Sequence, residues 1–348
     1  MDTMKILVRA PNWIGDCVMA IPAIHTLRER YPEGEIWIAA RSWAVDIFSL
    51  VEGITGIITL DEPGKKSGVR DSASRIRAGS FDAGLLLTNS FHSALLFAMA
   101  KIPKRWGYRS DGRSFLLTRG VNKKQPDIPR HHVYYYLDLL SGLGIPPPSQ
   151  TPRMRLKKPG EPLAATRKRL TDLGWSSGAP LITLNPGAQY GPAKRWPASR
   201  FRDAARILAE KKGAFFAVVG SASEAPLAED IVSGLGPAAC SLTGKTSLHE
   251  LASVLCLSSV FITNDSGPMH IANALGVPVA AVFGPTDHRA TGPFQDPSAL
   301  IRHAVPCWPC LYRECPFDHG CMHLIPPEEV VEACIRLLNA GGGPSASP

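Results

Sequence analysis

A chain of 348 residues, 45% hydrophobic and 7% aromatic, carries enough apolar material for two α/β cores. This composition excludes a disordered or fibrous protein, and no run of about 18 apolar residues is present to cross a membrane as a helix. The formal net charge of +8 predicts a basic face suited to nucleic acid, a membrane surface or a phosphorylated substrate.

The first predicted element is a strand, Lys5–Arg9, followed by the loop APNWIGD from Ala10 to Asp16. This start lacks a signal-peptide pattern, since the next apolar run is broken by Pro22. A cytoplasmic protein is therefore expected, with its eight cysteines as thiols or metal ligands rather than disulfides. Val18, Ile21, Ile24 and Leu27 form one helical stripe that ends near Tyr31, with Pro22 at a kink or an early turn. Strand, glycine loop and helix suggest a Rossmann-like half, but only Gly15 stands where a GxGxxG fingerprint would lie. That argues against a nicotinamide dinucleotide site and a dehydrogenase.

Further strands are predicted at 35–39, 56–60 and 83–87, with helices at 43–50, 69–78 and 91–100. The stretch 101–119 is basic, with Lys101, Lys104, Arg105, Arg109, Arg113 and Arg119 around Trp106 and Tyr108. It reads as a phosphate-binding wall or as a solvated loop. No nucleic-acid motif accompanies the charge, so nucleic acid is not expected as a partner. A helix at 131–140 carries Tyr134, Tyr135 and Tyr136, and the Pro-rich stretch 146–162 reads as a linker. A second half then repeats the alternation: a helix at 163–173, strands at 181–185, 215–219 and 259–263, and a helix marked by Leu248, Leu251 and Leu255. Strands alternating with helices twice over predict an α/β protein of two doubly wound domains facing a cleft. Their expected limits are 1–155 and 156–340, followed by a disordered tail at 341–348.

Chemistry concentrates in loops that leave strands of the second half. NPGAQYGPAKRWP, residues 185–197, offers Gly187 and Gly191 for close backbone approach and Lys194 and Arg195 for phosphate oxygens. Glu224, in GSASE, suits a ribose hydroxyl or a helix cap. Around Asn264-Asp265-Ser266-Gly267, a helix expected at 269–275 opens beside a strand end, with Pro268 at its first position. Its free N–H groups make an anion site. Asp265 suits a sugar hydroxyl, Ser266 and Gly267 suit a phosphate, and His270 faces the same anion; an ordinary helix cap is the alternative. Cys307, Cys310, Cys315 and Cys321, spaced C-x2-C-x4-C-x5-C with His319 and His323 nearby, suit zinc or an iron–sulfur cluster, or make a metal-free structural loop.

Three segments together carry a resemblance: MKILVRAPNWIGDCVMAIPAIHTLRERYP, NPGAQYGPAKRWP and NDSGPMHIANALGVPVAAVFGPTD. They resemble the ADP-heptose:lipopolysaccharide heptosyltransferases of glycosyltransferase family nine, over Met4 to about Asn339. Tyr190 and the run Lys194-Arg195-Trp196 are most similar to the heptosyltransferase II branch. The resemblance implies a GT-B fold of two Rossmann-like domains. The first would hold the lipopolysaccharide core acceptor and the second ADP-heptose, with the last helix packing back on the first domain.

It further implies inverting transfer of heptose with no metal or other cofactor. Asp16 would be the base, unless it only caps the first helix. Lys194, with the helix start at Ser266-Gly267, would steady the departing diphosphate. Asp265 and His270 match donor positions, Gly187 lies in the donor loop, and Thr243 and Glu224 are weaker matches for adenosine contacts. Lys104, Arg105, Arg109 and Arg113 are assigned by charge alone to the anionic inner core and lipid A. The expected partners are ADP-heptose, a Kdo-lipid A acceptor already carrying heptose, and the inner leaflet as a peripheral surface. Within the family, heptosyltransferase I or III is the alternative. A non-catalytic nucleotide-sugar binding protein is disfavoured by the presence of Asp16, Lys194 and Asp265 together.

Overall fold

A computed structural model describes residues 4–61, 68–123 and 129–340 of the chain. It divides into two compact units, Met1–Lys157 and Lys158–Pro348.

The first unit is built on β1 (Lys5–Arg9), β2 (Glu35–Ala40), β3 (Gly56–Thr59), β4 (Ala83–Leu86), β5 (Lys104–Tyr108) and β6 (Arg119–Val121). All pair in parallel, in the order β3-β2-β1-β4-β5-β6. β1 sits centrally, with Ile6 facing Ile36 on one side and Ala83 on the other. Its residues from Ile6 onward are buried, the continuous apolar run expected of a parallel strand covered on both faces.

The second unit repeats the plan with β7 (Leu181–Asn185), β8 (Phe215–Val218), β9 (Ala239–Ser241), β10 (Val260–Asn264), β11 (Val279–Val282) and β12 (Ser298–Ile301). Its order is β12-β11-β10-β7-β8-β9, which read from the β9 edge is the order of the first sheet. In each unit the strand order therefore reverses direction between the first and fourth strands, β1 and β4 or β7 and β10. Outside the carboxyl ends of such a pair, loops diverge to opposite faces and leave a ligand crevice.

Several elements depart from the sequence-based expectations. The first helical stripe is divided into two helices, Ile14–Met19 and Ile21–Arg30. Pro22 lies in the first turn of the second, where its missing N–H leaves no bond unmade. Val18, Ile21, Ile24 and Leu27 are all buried. The basic stretch is no loop, since most of it forms β5, β6 and the turn between them. The helix after β10 begins at Gly267 and ends at Ala274, with Pro268 at its second residue. The last helix, Pro327–Ala340, packs against the helix Ala198–Lys212 and along β12. It puts Val330, Val331, Cys334 and Leu337 into the second unit's core. Its apolar face is thus used within its own unit. The tail at 341–348 lies outside the described residues.

Candidate active site

In the second unit, two asparagines at the strand ends tie the divergent loops together. The Asn185 amide, at the end of β7, donates to Ser266 Oγ at 2.8 Å and to Thr263 Oγ1 at 3.3 Å. Asn264, at the end of β10, donates to the carbonyls of Pro186 and Gly187 and accepts from the Trp196 N–H at 3.0 Å. Both asparagines are buried, where an unmet amide would be costly, so each bond fixes a loop position. Trp196 anchors the far end of the loop: it is 1% exposed, stacks edge-on against Phe201 at 5.0 Å and donates from Nε1 to the Ile325 carbonyl.

Between these anchors stands Lys194. Its Nζ meets Asp265 Oδ2 at 2.5 Å, with the two side chains 12% and 4% exposed. Thr286 Oγ1 donates to the same carboxylate oxygen at 2.6 Å. Burying a carboxylate this deeply is costly without such partners. An ammonium group has three N–H donors, so pairing with Asp265 aims Lys194 without using it up. The Tyr190 ring lies 4.8 Å below Nζ. Ser266, the cap residue of the helix Gly267–Ala274, makes no side-chain cap bond to that helix, because its hydroxyl is engaged by Asn185 and Thr263. The Ser266 side chain thus leaves this helix uncapped, with the positive end of the helix dipole next to the Asp265–Lys194 pair. His270 lies one turn in and is 3% exposed.

Glu224 is buried and serves as a cap. Its Oε2 accepts from the Ser221 N–H at 2.7 Å and the Ser221 hydroxyl at 2.9 Å, completing a capping box. Its carboxyl group lies against Gly187, where a Cβ would collide with it. Gly187 therefore gives room to a side chain of its own unit. Thr243 is buried beside β8, within 3.4 Å of the Val218 carbonyl, and the Gly244 N–H joins its loop to Gly220.

The cysteine-rich segment forms the outer wall of the Lys194 loop. The Tyr190 hydroxyl donates to the Leu311 carbonyl at 2.7 Å, the Ala193 N–H donates to the Arg313 carbonyl, and His319 Nε2 lies 2.7 Å from the Ala193 carbonyl oxygen. All eight cysteines are unbridged. Cys307, Cys310, Cys315 and Cys321 line a single pocket, and burial pushes the Cys321 thiol up to about 11. Among the described residues, no three His, Cys, Asp or Glu side chains are grouped as a metal's ligands would be.

In the first unit, the loop after β1 leads to Asp16. Trp13 is the cap residue of the helix Ile14–Met19, so Asp16 falls in the first turn rather than at the cap. The Tyr136 hydroxyl donates to Asp16 Oδ1 at 3.3 Å. Burial, with the Asp16 charge beside it, raises the Tyr136 hydroxyl well above its ordinary value, so it stays a donor and orients the carboxylate. Tyr135 and Asn89 exchange hydrogen bonds at 2.8 and 2.9 Å, linking the loop after β4 to the helix that carries Tyr136, His132–Gly142. Asn185, Asn264, Tyr136 and Asn89 were not singled out from the sequence. The signal was faint: a polar amide at or just past the end of an apolar strand, and three consecutive tyrosines on one helix.

The four basic residues expected at the acceptor fall in different surroundings. Lys104 opens β5 and pairs in register with Ala83, which places it at the amino end of the sheet, away from the Asp16 loop. Arg105 is occupied in structure, donating to the carbonyls of Ile102 and Leu116 at 2.6 Å each. Arg113 is wholly buried and donates to the carbonyls of Tyr108 and Thr88. Only Arg109, just beyond the carboxyl end of β5, is exposed on the expected side.

Two parallel sheets of this order, with a buried lysine–carboxylate pair at a switch point of the second, are the architecture of a two-domain doubly wound α/β protein with a ligand crevice at its strand ends. The chain matches the model of glycosyltransferase family 9 (heptosyltransferase) over residues 69–320, and it belongs to that family. It is 31% identical over 315 residues to lipopolysaccharide heptosyltransferase 2 of Salmonella typhimurium, covering 86% of this chain and 88% of that protein. It is 28% identical to lipooligosaccharide heptosyltransferase 2 of Campylobacter jejuni, covering 96% and 98%. The solved ADP-heptose lps heptosyltransferase II of E. coli superposes with a TM-score of 0.83 at 28% identity, covering 98% of this chain and 100% of that one. A family 9 glycosyltransferase from Veillonella parvula, 23% identical, shares the fold with a TM-score of 0.86 and 98% of each chain covered. The protein is thus a glycosyltransferase enzyme of the heptosyltransferase family with the GT-B type of fold.

Proposed function

We propose that the protein transfers L-glycero-D-manno-heptose from ADP-heptose to the first heptose of the lipopolysaccharide inner core, with inversion at the anomeric carbon. The Lys194–Asp265 pair beside the start of the helix Gly267–Ala274 carries this reading. A held cation beside the positive end of a helix dipole suits a diphosphate whose charge grows as the sugar departs. The names of the relatives, second heptosyltransferases in Salmonella typhimurium and Campylobacter jejuni, support heptose as the group moved and the second addition as the step.

The acceptor hydroxyl attacks the anomeric carbon in line as the bond to ADP breaks. Asp16 takes the acceptor proton and Tyr136 orients its carboxylate. One Lys194 N–H stays on Asp265 while the others meet the diphosphate. Gly187, Thr243 and His270 shape the donor pocket, and Glu224 does so through its cap. Arg109 is the exposed cation for the anionic core. Among the described residues no helix is long and apolar enough to cross a membrane; the lipid-linked acceptor is met at the inner face of the cytoplasmic membrane.

The test is an ADP-release assay with ADP-heptose and two acceptors, one carrying only Kdo on lipid A and the other Kdo with a single heptose. Turnover restricted to the second acceptor is expected. Turnover on the first would reassign the protein to the first addition, and release with neither would remove heptose transfer altogether.

A further inference from the structure

The helix Phe91–Met99 has an unusual outward face. Phe97 and Ala94 point into the core of the first unit, as expected, while the outward side is apolar except for the exposed His92. Phe91 is 41% and Met99 38% exposed, and Phe115, from the turn before β6, is 75% exposed. The Phe91 and Phe115 rings lie 6.0 Å apart and form one aromatic patch. Leu95, one turn on from Phe91, is half-buried on the same stripe.

A water-facing helix ordinarily carries charge on its outer side, and here the charge sits at the margins. The helix Val69–Ala78 packs alongside and carries the exposed Arg70 and Arg77, with Arg75 half-buried and donating to the Leu60 carbonyl, against one acidic residue, Asp71. Lys101 and Lys104, both exposed, follow the far end of the stripe. Between residues 68 and 123 the acidic side chains are Asp71, Asp82 and Asp111, far fewer than the basic ones. An aromatic patch rimmed by cations is complementary to an anionic bilayer: rings enter at the headgroup level while Lys and Arg meet lipid phosphates.

We infer that this face of the first unit, Phe91 and Phe115 at its centre, is the surface by which the enzyme docks on the anionic membrane that holds its acceptor. The inference rests on the proposed lipid-linked acceptor and assigns the contact to particular residues. It also gives Lys104 a place at the lipid surface.

The experiment is co-sedimentation of the full chain with vesicles of phosphatidylglycerol and phosphatidylcholine, and with vesicles of phosphatidylcholine alone. The double variant Phe91→Glu/Phe115→Glu is expected to lose at least tenfold in partitioning to the anionic vesicles. Its turnover on a deacylated, water-soluble acceptor should be unchanged, and its KM for vesicle-embedded acceptor should rise. Phe317→Glu, at a 64% exposed aromatic of the second unit, is the control and should partition like the wild type. Met99→Glu serves if the double variant does not fold.

Unchanged partitioning of the double variant, an equal loss in the control, or no wild-type preference for anionic vesicles would each overturn the docking face. So would self-association of the wild type that the double variant abolishes, since the patch would then be a protein interface. Vesicle binding without turnover on any heptose-bearing acceptor would remove the functional reading and leave the face standing.

Discussion

Arg113 shows how little a charge in the sequence says about where that charge ends up. It follows a turn rich in Arg, Ser, Asp and Gly and looks like a surface cation, yet it is wholly buried. Its guanidinium gathers the carbonyls of Tyr108 and Thr88 at the ends of β5 and β4. A planar fork of donors closes several strand-end carbonyls at once, which lysine cannot do. Arg113→Met should therefore cost about 3 kcal/mol by leaving buried acceptors unmet, read as a lower midpoint in urea. Arg109→Met should leave that midpoint alone and raise the KM for the acceptor. Equal stability of the two variants would contradict this division. Lys194 is the opposite case, since the sequence placed it beside a diphosphate but gave no hint that Asp265 would hold it.

The loop between β7 and the helix Ala198–Lys212 is the element on which the proposed donor site depends. It is pinned by Asn264 at its start, by Trp196 at its end and by the cysteine-rich segment along its side. Gly187 is where this loop passes the Glu224 cap, and a Cβ there would run into the carboxyl group. Gly187→Ala should displace Glu224, weaken the capping box and destabilise the second unit by about 1–3 kcal/mol. Donor affinity, measured by calorimetry with ADP-heptose, should fall with it. Unaltered affinity and stability would show that the loop yields freely. The glycine was legible in the sequence as a point of close approach, but the group approaching it was not. A capping box is a local pattern; its contact with a loop more than thirty residues earlier is a tertiary fact.

At the scale of the molecule, the alternation of strands and helices was legible because parallel strands buried on both faces read as short apolar runs. β5, β6 and β12 were not. β5 begins Lys104-Arg105, and edge strands such as β6 and β12 need fewer apolar residues and so lack the signal. The repeated strand order, and with it the two switch points, emerges only from the pairing. It puts Asp16 after the first strand of one unit and Lys194 and Asp265 after the first and fourth strands of the other, each at a carboxyl edge. The motifs in the sequence coincide with these positions because a doubly wound sheet concentrates its binding loops there.

In the proposed mechanism Asp16 accepts the acceptor's proton and the second unit holds the donor. Its most direct test is Asp16→Asn, a change that keeps the side chain's size and its contact with Tyr136. Turnover with ADP-heptose and the heptose-bearing acceptor should drop by about 10²- to 10⁴-fold, with the Kd for ADP-heptose unchanged. Activity that survives the substitution, or ADP-heptose affinity that falls along with it, would contradict the account.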